Sequence, residues 1–140
     1  MYAPAPTNYT DPYGLACDPK KATHITYLGS KGGLPYIGYA SMPGKQSADA
    51  VLRYRYNSNF SVFDGGQAPV ILYEGYGQAG KDVARGLEQR YFEQHGGLGS
   101  TANRQNPVGQ RNKRRDKYLK AADSHLSKCK PCKEKSLNDC

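Results

Sequence analysis

The sequence predicts an α+β fold: a small three-stranded antiparallel sheet flanked by helices, in the order β-β-α-β-α-α. Three observations carry that expectation. Two short Tyr- and Ile-rich runs, 24–29 (HITYLG) and 35–40 (PYIGYA), flank the turn-forming Ser30-Lys-Gly-Gly-Leu34 and read as a β-hairpin. Pro69-Val-Ile-Leu-Tyr-Glu74 is the strongest strand run in the chain. Apolar residues at helical spacing fill three other segments. At 140 residues and 15.4 kDa the chain has the size of one domain.

In chain order, residues 1–22 are Pro- and Tyr-rich without a period and read as an extended lead-in. After the hairpin, a helix is expected at 47–57. Ser47 supplies an N-cap, Asp49 suits the positive helix end, and Ala48, Val51 and Leu52 make the apolar stripe. Asp64-Gly-Gly then turns the chain into the 69–74 strand. Val83, Ala84, Leu87 and Tyr91 define a second helix at 81–95, ended by Gly96-Gly97. Residues 98–111 read as loop. A last helix at 112–127 carries Tyr118, Leu119, Ala122 and Leu126 on one face and basic residues on the other.

Composition narrows the function classes. Gly and Pro together are 25 of 140 residues, the mean hydropathy is −0.80, and no apolar run approaches the roughly 18–20 residues of a membrane span, so no membrane partner is expected. Neither a collagen nor a heptad period is present. The net charge of +8 is uneven: residues 1–102 hold 9 basic and 8 acidic residues, whereas residues 103–140 hold 11 and 4. A basic C-terminal quarter favours an anionic partner, here nucleic acid. Cys17 stands alone, and Cys129-Lys-Pro-Cys132 has no second CxxC to complete a zinc site, so a structural role or a terminal disulfide is the plainer reading for the cysteines.

Gly75-Tyr-Gly77-Gln-Ala-Gly80 matches GxGxxG between a strand and a helix, and 75–81 fits the start of a P-loop. The next position is Asp82 rather than Ser or Thr, and an aspartate there repels phosphate. No second parallel strand with an acidic residue follows. A glycine-rich turn feeding a helix is the better reading, with nucleotide binding through this loop as an alternative.

The hairpin carries more chemistry. Ile25-Thr26-Tyr27 and Tyr36-Ile37-Gly38, followed by a helix with Arg and a later helix with Glu, resemble the GIY-YIG nuclease family over about residues 24–107. The resemblance places the family's two tyrosines on Tyr27 and Tyr36. It places its arginine on Arg55, within Leu52-Arg-Tyr-Arg55, with Arg53 as the alternative. Its metal-binding glutamate falls on Glu88 and its late asparagine on Asn106, with Asn103 as the alternative. Two features depart from the family pattern: an insertion around Met42-Pro-Gly-Lys45, and no His a few residues after the Arg, where Tyr56 or Asn59 stands in.

These residue types suit phosphodiester hydrolysis. Glu88 can hold one Mg²⁺ or Mn²⁺ with waters and phosphate oxygens. Arg55 can neutralise phosphate by a forked contact. A tyrosine, with a reference pKa of ~10, needs nearby positive charge to ionise. The basic segment 104–120, with Arg104, Arg111, Lys113, Arg114, Arg115 and Lys117, is expected to track a nucleic-acid backbone. Tyr and Glu at such positions also serve packing and solvation, so the reading rests on their conjunction.

Near the N-terminus, Asn8-Tyr-Thr-Asp11-Pro12-Tyr13-Gly14-Leu15 resembles the DPxGL junction that ends the core of Rhs-type polymorphic toxins. The resemblance implies an autocleavage junction involving Asp11 and Leu15 and an Rhs core shell in the parent chain. It also implies type VI secretion into a competitor's cytoplasm and a cognate immunity protein, which is expected to be acidic. The expected organisation is then 1–22 as junction and linker, 23–128 as the nuclease toxin domain, and 129–140 as a Cys/Lys-rich tail. DNA is favoured over RNA as substrate. The alternatives are a non-catalytic basic nucleic-acid-binding module and a toxin acting on nucleotides through the 75–81 loop.

Overall fold

The computed structural model describes residues 18–135, with side chains through residue 127. Asp11, Leu15, Cys17 and Cys140 lie outside the described residues, and so do the side chains of Cys129 and Cys132. After a 3-10 turn at Pro19–Lys21 come β1 (Ala22–Lys31), β2 (Leu34–Pro43), α1 (Ala48–Tyr56), a 3-10 turn at Asp64–Gly66, β3 (Val70–Tyr76), α2 (Gly77–Gln94) and α3 (Arg115–Lys135). The sheet order is β2-β1-β3 and both pairings are antiparallel. The expected α+β architecture and element order are therefore present. Among the described residues no helix is long and apolar enough to cross a membrane.

β1 is the central strand, and residues 22–27 are buried in succession. Ile25 and Tyr27 pack with Ala48, Val51 and Leu52 of α1 and with Phe63. The intervening Thr26 points the other way and donates its hydroxyl to the Ala84 carbonyl of α2 at 2.7 Å. Helices thus cover both faces of β1, and its polar residues stay buried because they are bonded. α3 packs on the outside of α2 so closely that a Cβ on Gly86 would meet the Tyr118 carbonyl oxygen of α3.

Both hairpin strands are longer than the apolar runs predict. The ladder extends from Ala22↔Pro43 to Lys31↔Leu34, because pairing is made by backbone groups. The connection shrinks to Gly32-Gly33, whose φ values of 61° and 79° give the positive-φ turn that suits strand twist. The Asp64 carboxylate clamps this turn, accepting from Ser30 Oγ and from the Gly32 and Gly33 amides at 2.7–2.8 Å. Those three bonds hold its pKa below the usual carboxylate range.

α1 ends within a residue of expectation. Ser47 Oγ accepts from the Ala50 amide at 3.1 Å, and Asn57 closes the helix in the left-handed region. α2 starts at Gly77, four residues before the expected Lys81. No loop separates it from β3, because Gly80 in its first turn presses on Gly75: a Cβ on Gly80 would stand 2.4 Å from the Gly75 carbonyl carbon. Gly75 and Gly80 are accounted for by this strand-to-helix packing, and Gly77 by its φ of 81° at the turn between them. α3 starts at Arg115 rather than 112, since Asn112 folds the chain back with bonds to the Arg114 and Arg115 amides. It runs on to Lys135, across the expected 128/129 boundary and through Cys129 and Cys132.

Candidate active site

The α2–α3 connection closes over the free edge of β2. Asn103 binds the Ile37 backbone at both groups, accepting from N at 3.1 Å and donating to O at 2.8 Å, and the Ala102 amide donates to the Pro35 carbonyl at 2.7 Å. Buried Gln89 of α2 holds the next part of the loop, accepting from the Val108 amide and donating to Asn106 Oδ1 at 3.3 Å. Between this loop, the hairpin and α2 lies a polar cavity of about 700 Å³. Lys31, Tyr36, Glu88, Asn103, Arg104 and Asn106 line it.

Glu88 reaches the cavity from the second half of α2 and is 7% exposed. Arg85, one helical turn earlier, donates to Glu88 Oε1 at 2.9 Å and to the Pro107 carbonyl at 3.2 Å. Its guanidinium lies 5.1 Å from the Tyr39 ring centroid and 5.7 Å from that of Tyr118. Burial pushes the Glu88 carboxyl up to about 7, against the downward pull of Arg85. The Arg85 bond takes Oε1, and Glu88 also contributes to the cavity wall.

This donor set fits a hydrated Mg²⁺ or Mn²⁺ ion. Such ions take one or two carboxylate oxygens and complete their shell with water and phosphate. Among the described residues no group of three or more His, Cys, Asp or Glu comes together to hold a metal. A cation here would rest on Glu88, solvent and substrate.

The two tyrosines differ in access. Tyr27 is 1% exposed, and its hydroxyl shares a 2.7 Å hydrogen bond with that of Tyr56. Burial, then the Tyr56 bond, pushes its pKa up. Tyr36 is half-buried and lines the cavity, with its ring centroid 6.4 Å from that of Tyr27. Burial again raises its pKa and the Glu88 charge adds to the rise, while Arg55 opposes it. Tyr36 is thus placed to touch a ligand, and Tyr27 supports the wall behind it. Tyr56, rather than Asn59, joins this cluster.

The two candidate arginines part company. Arg53 pairs with Asp49 at 2.8 Å along the exposed face of α1. Arg55 sits over the Tyr56 ring at 5.1 Å, has no ion pair among the described residues, and acts electrostatically on Tyr27, Tyr36 and Lys31. Asn106 and Asn103 divide likewise. Both line the cavity, but the Asn103 amide is bound to β2 while Asn106 is exposed.

The basic segment is not uniform. Arg104, Arg111, Lys113 and Lys117 are exposed. Arg114 is tied to Asp82 at 2.7 Å, and Arg115 donates to the Val108 carbonyl. These two arginines fasten the start of α3 rather than stand free for a backbone. Lys31 and Arg85 are site residues that sequence reasoning missed. Lys31 was hidden in an apparent turn, and Arg85 gave no signal beyond its i,i+3 spacing to Glu88.

No protein-family model matches the chain, and neither a curated protein nor a solved structure matches it.

Proposed function

We propose that this chain is a metal-dependent endonuclease of GIY-YIG type that hydrolyses nucleic-acid phosphodiester bonds, DNA ahead of RNA. The observation that carries the reading is the convergence of Tyr36, Glu88 and Asn106 on one polar cavity, with Arg104 in its wall and Arg55 close enough to act on Tyr36. The Rhs-type junction at residues 8–15 extends it to a toxin. Released from an Rhs core shell, it leaves the producing cell by type VI secretion, acts in a competitor's cytoplasm, and is neutralised by an acidic immunity protein.

Each residue has a task. Glu88, oriented by Arg85, would hold the Mg²⁺ or Mn²⁺ ion. Bound there, the ion supplies Lewis acidity toward a phosphate oxygen and acidifies water. Arg55 offsets the charge that builds on the phosphate during attack. Water attacks phosphorus and gives its proton up to solvent, one P–O ester bond breaks, and the leaving oxygen takes a proton whose donor is replenished from solvent. Tyr36, kept protonated at neutral pH by its raised pKa, is the hydroxyl suited to give it. Asn106 offers an uncharged amide for a neighbouring phosphate or sugar oxygen.

The test is a cleavage assay on plasmid DNA and total RNA, with Mg²⁺ or EDTA, beside Glu88→Gln. Metal-dependent cutting that Glu88→Gln abolishes is expected, with DNA cut faster. Equal binding without cutting by both proteins would overturn the reading in favour of a non-catalytic basic module.

A further inference from the structure

Lys31 is the cation that the proposed chemistry leaves without a task. Its Nζ stands 3.9 Å from the centroid of the Tyr36 ring and 5.3 Å from that of Phe63, which fixes it at the cavity wall. It has no ion pair among the described residues. The nearby Asp64 carboxylate is already engaged by Ser30, Gly32 and Gly33. The other charges that act on Lys31 are Arg55 and Arg104, and neither has an acidic partner among the described residues. Burial, then the repulsion of these two arginines, lowers the Lys31 pKa. Lys31 and Arg104 line the cavity and Arg55 acts on Lys31 from beside it; these like charges repel one another, and an anion relieves that repulsion when it binds.

We propose that Lys31 and Arg104 form a phosphate-binding subsite in the Tyr36–Glu88 cavity, which takes a backbone phosphate of a bound polynucleotide. The inference rests on the nuclease reading only for the identity of the polymer. The anion site itself stands on geometry. Lys31 supplies a point charge held against an aromatic face, and Arg104 supplies a planar donor from the 102–107 loop opposite the hairpin. A phosphate between them would lie beside both Tyr36 and Glu88.

The test measures binding in EDTA, where cutting plays no part. The full-length protein, Lys31→Met, Lys31→Arg and Lys20→Met would be titrated with a short DNA oligonucleotide over a range of salt. Lys20 is exposed and lies outside both the cavity and the basic segment. Lys31→Met is expected to lose about tenfold in affinity and to reduce the salt slope by about one, as for loss of one phosphate contact. Lys31→Arg recovers most of the affinity, and Lys20→Met changes it less than Lys31→Met does. In parallel, inorganic phosphate added to protein with ¹³C-dimethylated lysines should move the resonance that is missing from Lys31→Met. Native-like affinity of Lys31→Met, or a Lys31 resonance indifferent to phosphate, overturns the subsite even if the enzyme cuts DNA. A phosphate-responsive Lys31 in a protein that cuts neither polymer keeps the subsite and overturns the nuclease reading.

Discussion

Tyr27 stands directly opposite Gly38 across the β1–β2 ladder, and its ring fills the space a Cβ at Gly38 would need. The same register sets Tyr36 opposite Gly29, where Phe63 fills the space. Two Tyr-x-Gly triplets therefore interlock, each tyrosine facing the other strand's glycine. A Cβ at Gly38 would lie 2.4–2.5 Å from two ring carbons and the hydroxyl oxygen of Tyr27, a side chain that is buried and bonded to Tyr56. Gly38→Ala is expected to destabilise by roughly 1–3 kcal/mol, the usual range for overpacking. Tyr27→Phe removes one buried hydrogen bond and should cost about 1 kcal/mol while leaving most activity. Tyr36→Phe should do the reverse, with near-native stability and activity lost by on the order of 10²-fold. Urea melts beside cleavage rates separate the two; equal activity losses for both tyrosines would refute the division of roles.

Arg53 and Arg55 differ by two positions on α1 and point to different partners. Arg53→Ala removes an exposed i,i+4 pair and should cost no more than about 0.5 kcal/mol, with cleavage near native. Arg55→Ala should lower cleavage on the order of 10²–10³-fold with little change in melting, as expected for a charge that acts on the transition state. The opposite ranking in a side-by-side assay would return the role to Arg53.

Arg85 holds down the pKa of Glu88 as well as its position. Burial sets the upward push and Arg85 opposes it, so Arg85→Gln should raise the Glu88 pKa above its present value of about 7. A metal ligand must be deprotonated, so the alkaline rise of the rate profile should move to higher pH in the variant and recover part of its rate there. A variant equally impaired at every pH would assign Arg85 a purely geometric role.

What was legible in the sequence follows from which interactions are local. Ser47 caps its own helix, the apolar stripes point at their own neighbours, and Tyr36-Ile-Gly38 is contiguous, so α1, the order of elements along the chain and the tyrosine of the cavity wall could be named from the sequence. Tertiary contacts were not legible. The start of α2 depends on Gly80 touching Gly75, and the free Arg is chosen by Asp49 engaging Arg53. Asn103 is taken by an edge strand 66 residues away. Lys31 gains its place only when the short hairpin turn sets it over Tyr36.

Gly86 tests how α3 is held. In an exposed helix, Gly→Ala stabilises by up to about 1 kcal/mol. Here the added Cβ would lie far inside contact distance of the Tyr118 carbonyl and 2.7 Å from the Ala122 Cβ, so the α3 backbone must move away from α2. The clash outweighs the propensity gain, and Gly86→Ala should lose about 3 kcal/mol. A stabilised variant in a urea melt would mean that α3 does not pack as described.

His24 makes stability depend on pH. It is 1% exposed; Nε2 lies 3.0 Å from the Pro19 carbonyl oxygen and Nδ1 lies 2.7 Å from the Tyr39 hydroxyl. A carbonyl only accepts, so Nε2 carries the hydrogen and Nδ1 accepts from Tyr39. Burial lowers the pKa below 6.5, with the Pro19 bond opposing and the Lys81 charge reinforcing. On acidification the unfolded chain therefore takes the proton before the folded one does. The contribution is fully present above about pH 6.5 and declines as pH falls toward the folded-state pKa, by at most about 1.4 kcal/mol per pH unit. His24→Gln lacks this titration. It should be less stable than the native chain at pH 7.5, and the gap should narrow at pH 5.5. Urea midpoints of both proteins at the two pH values check the slope, and imidazole ¹⁵N shifts check the tautomer. Parallel stability curves for the two proteins over that range would show that His24 titrates alike in the folded and unfolded states.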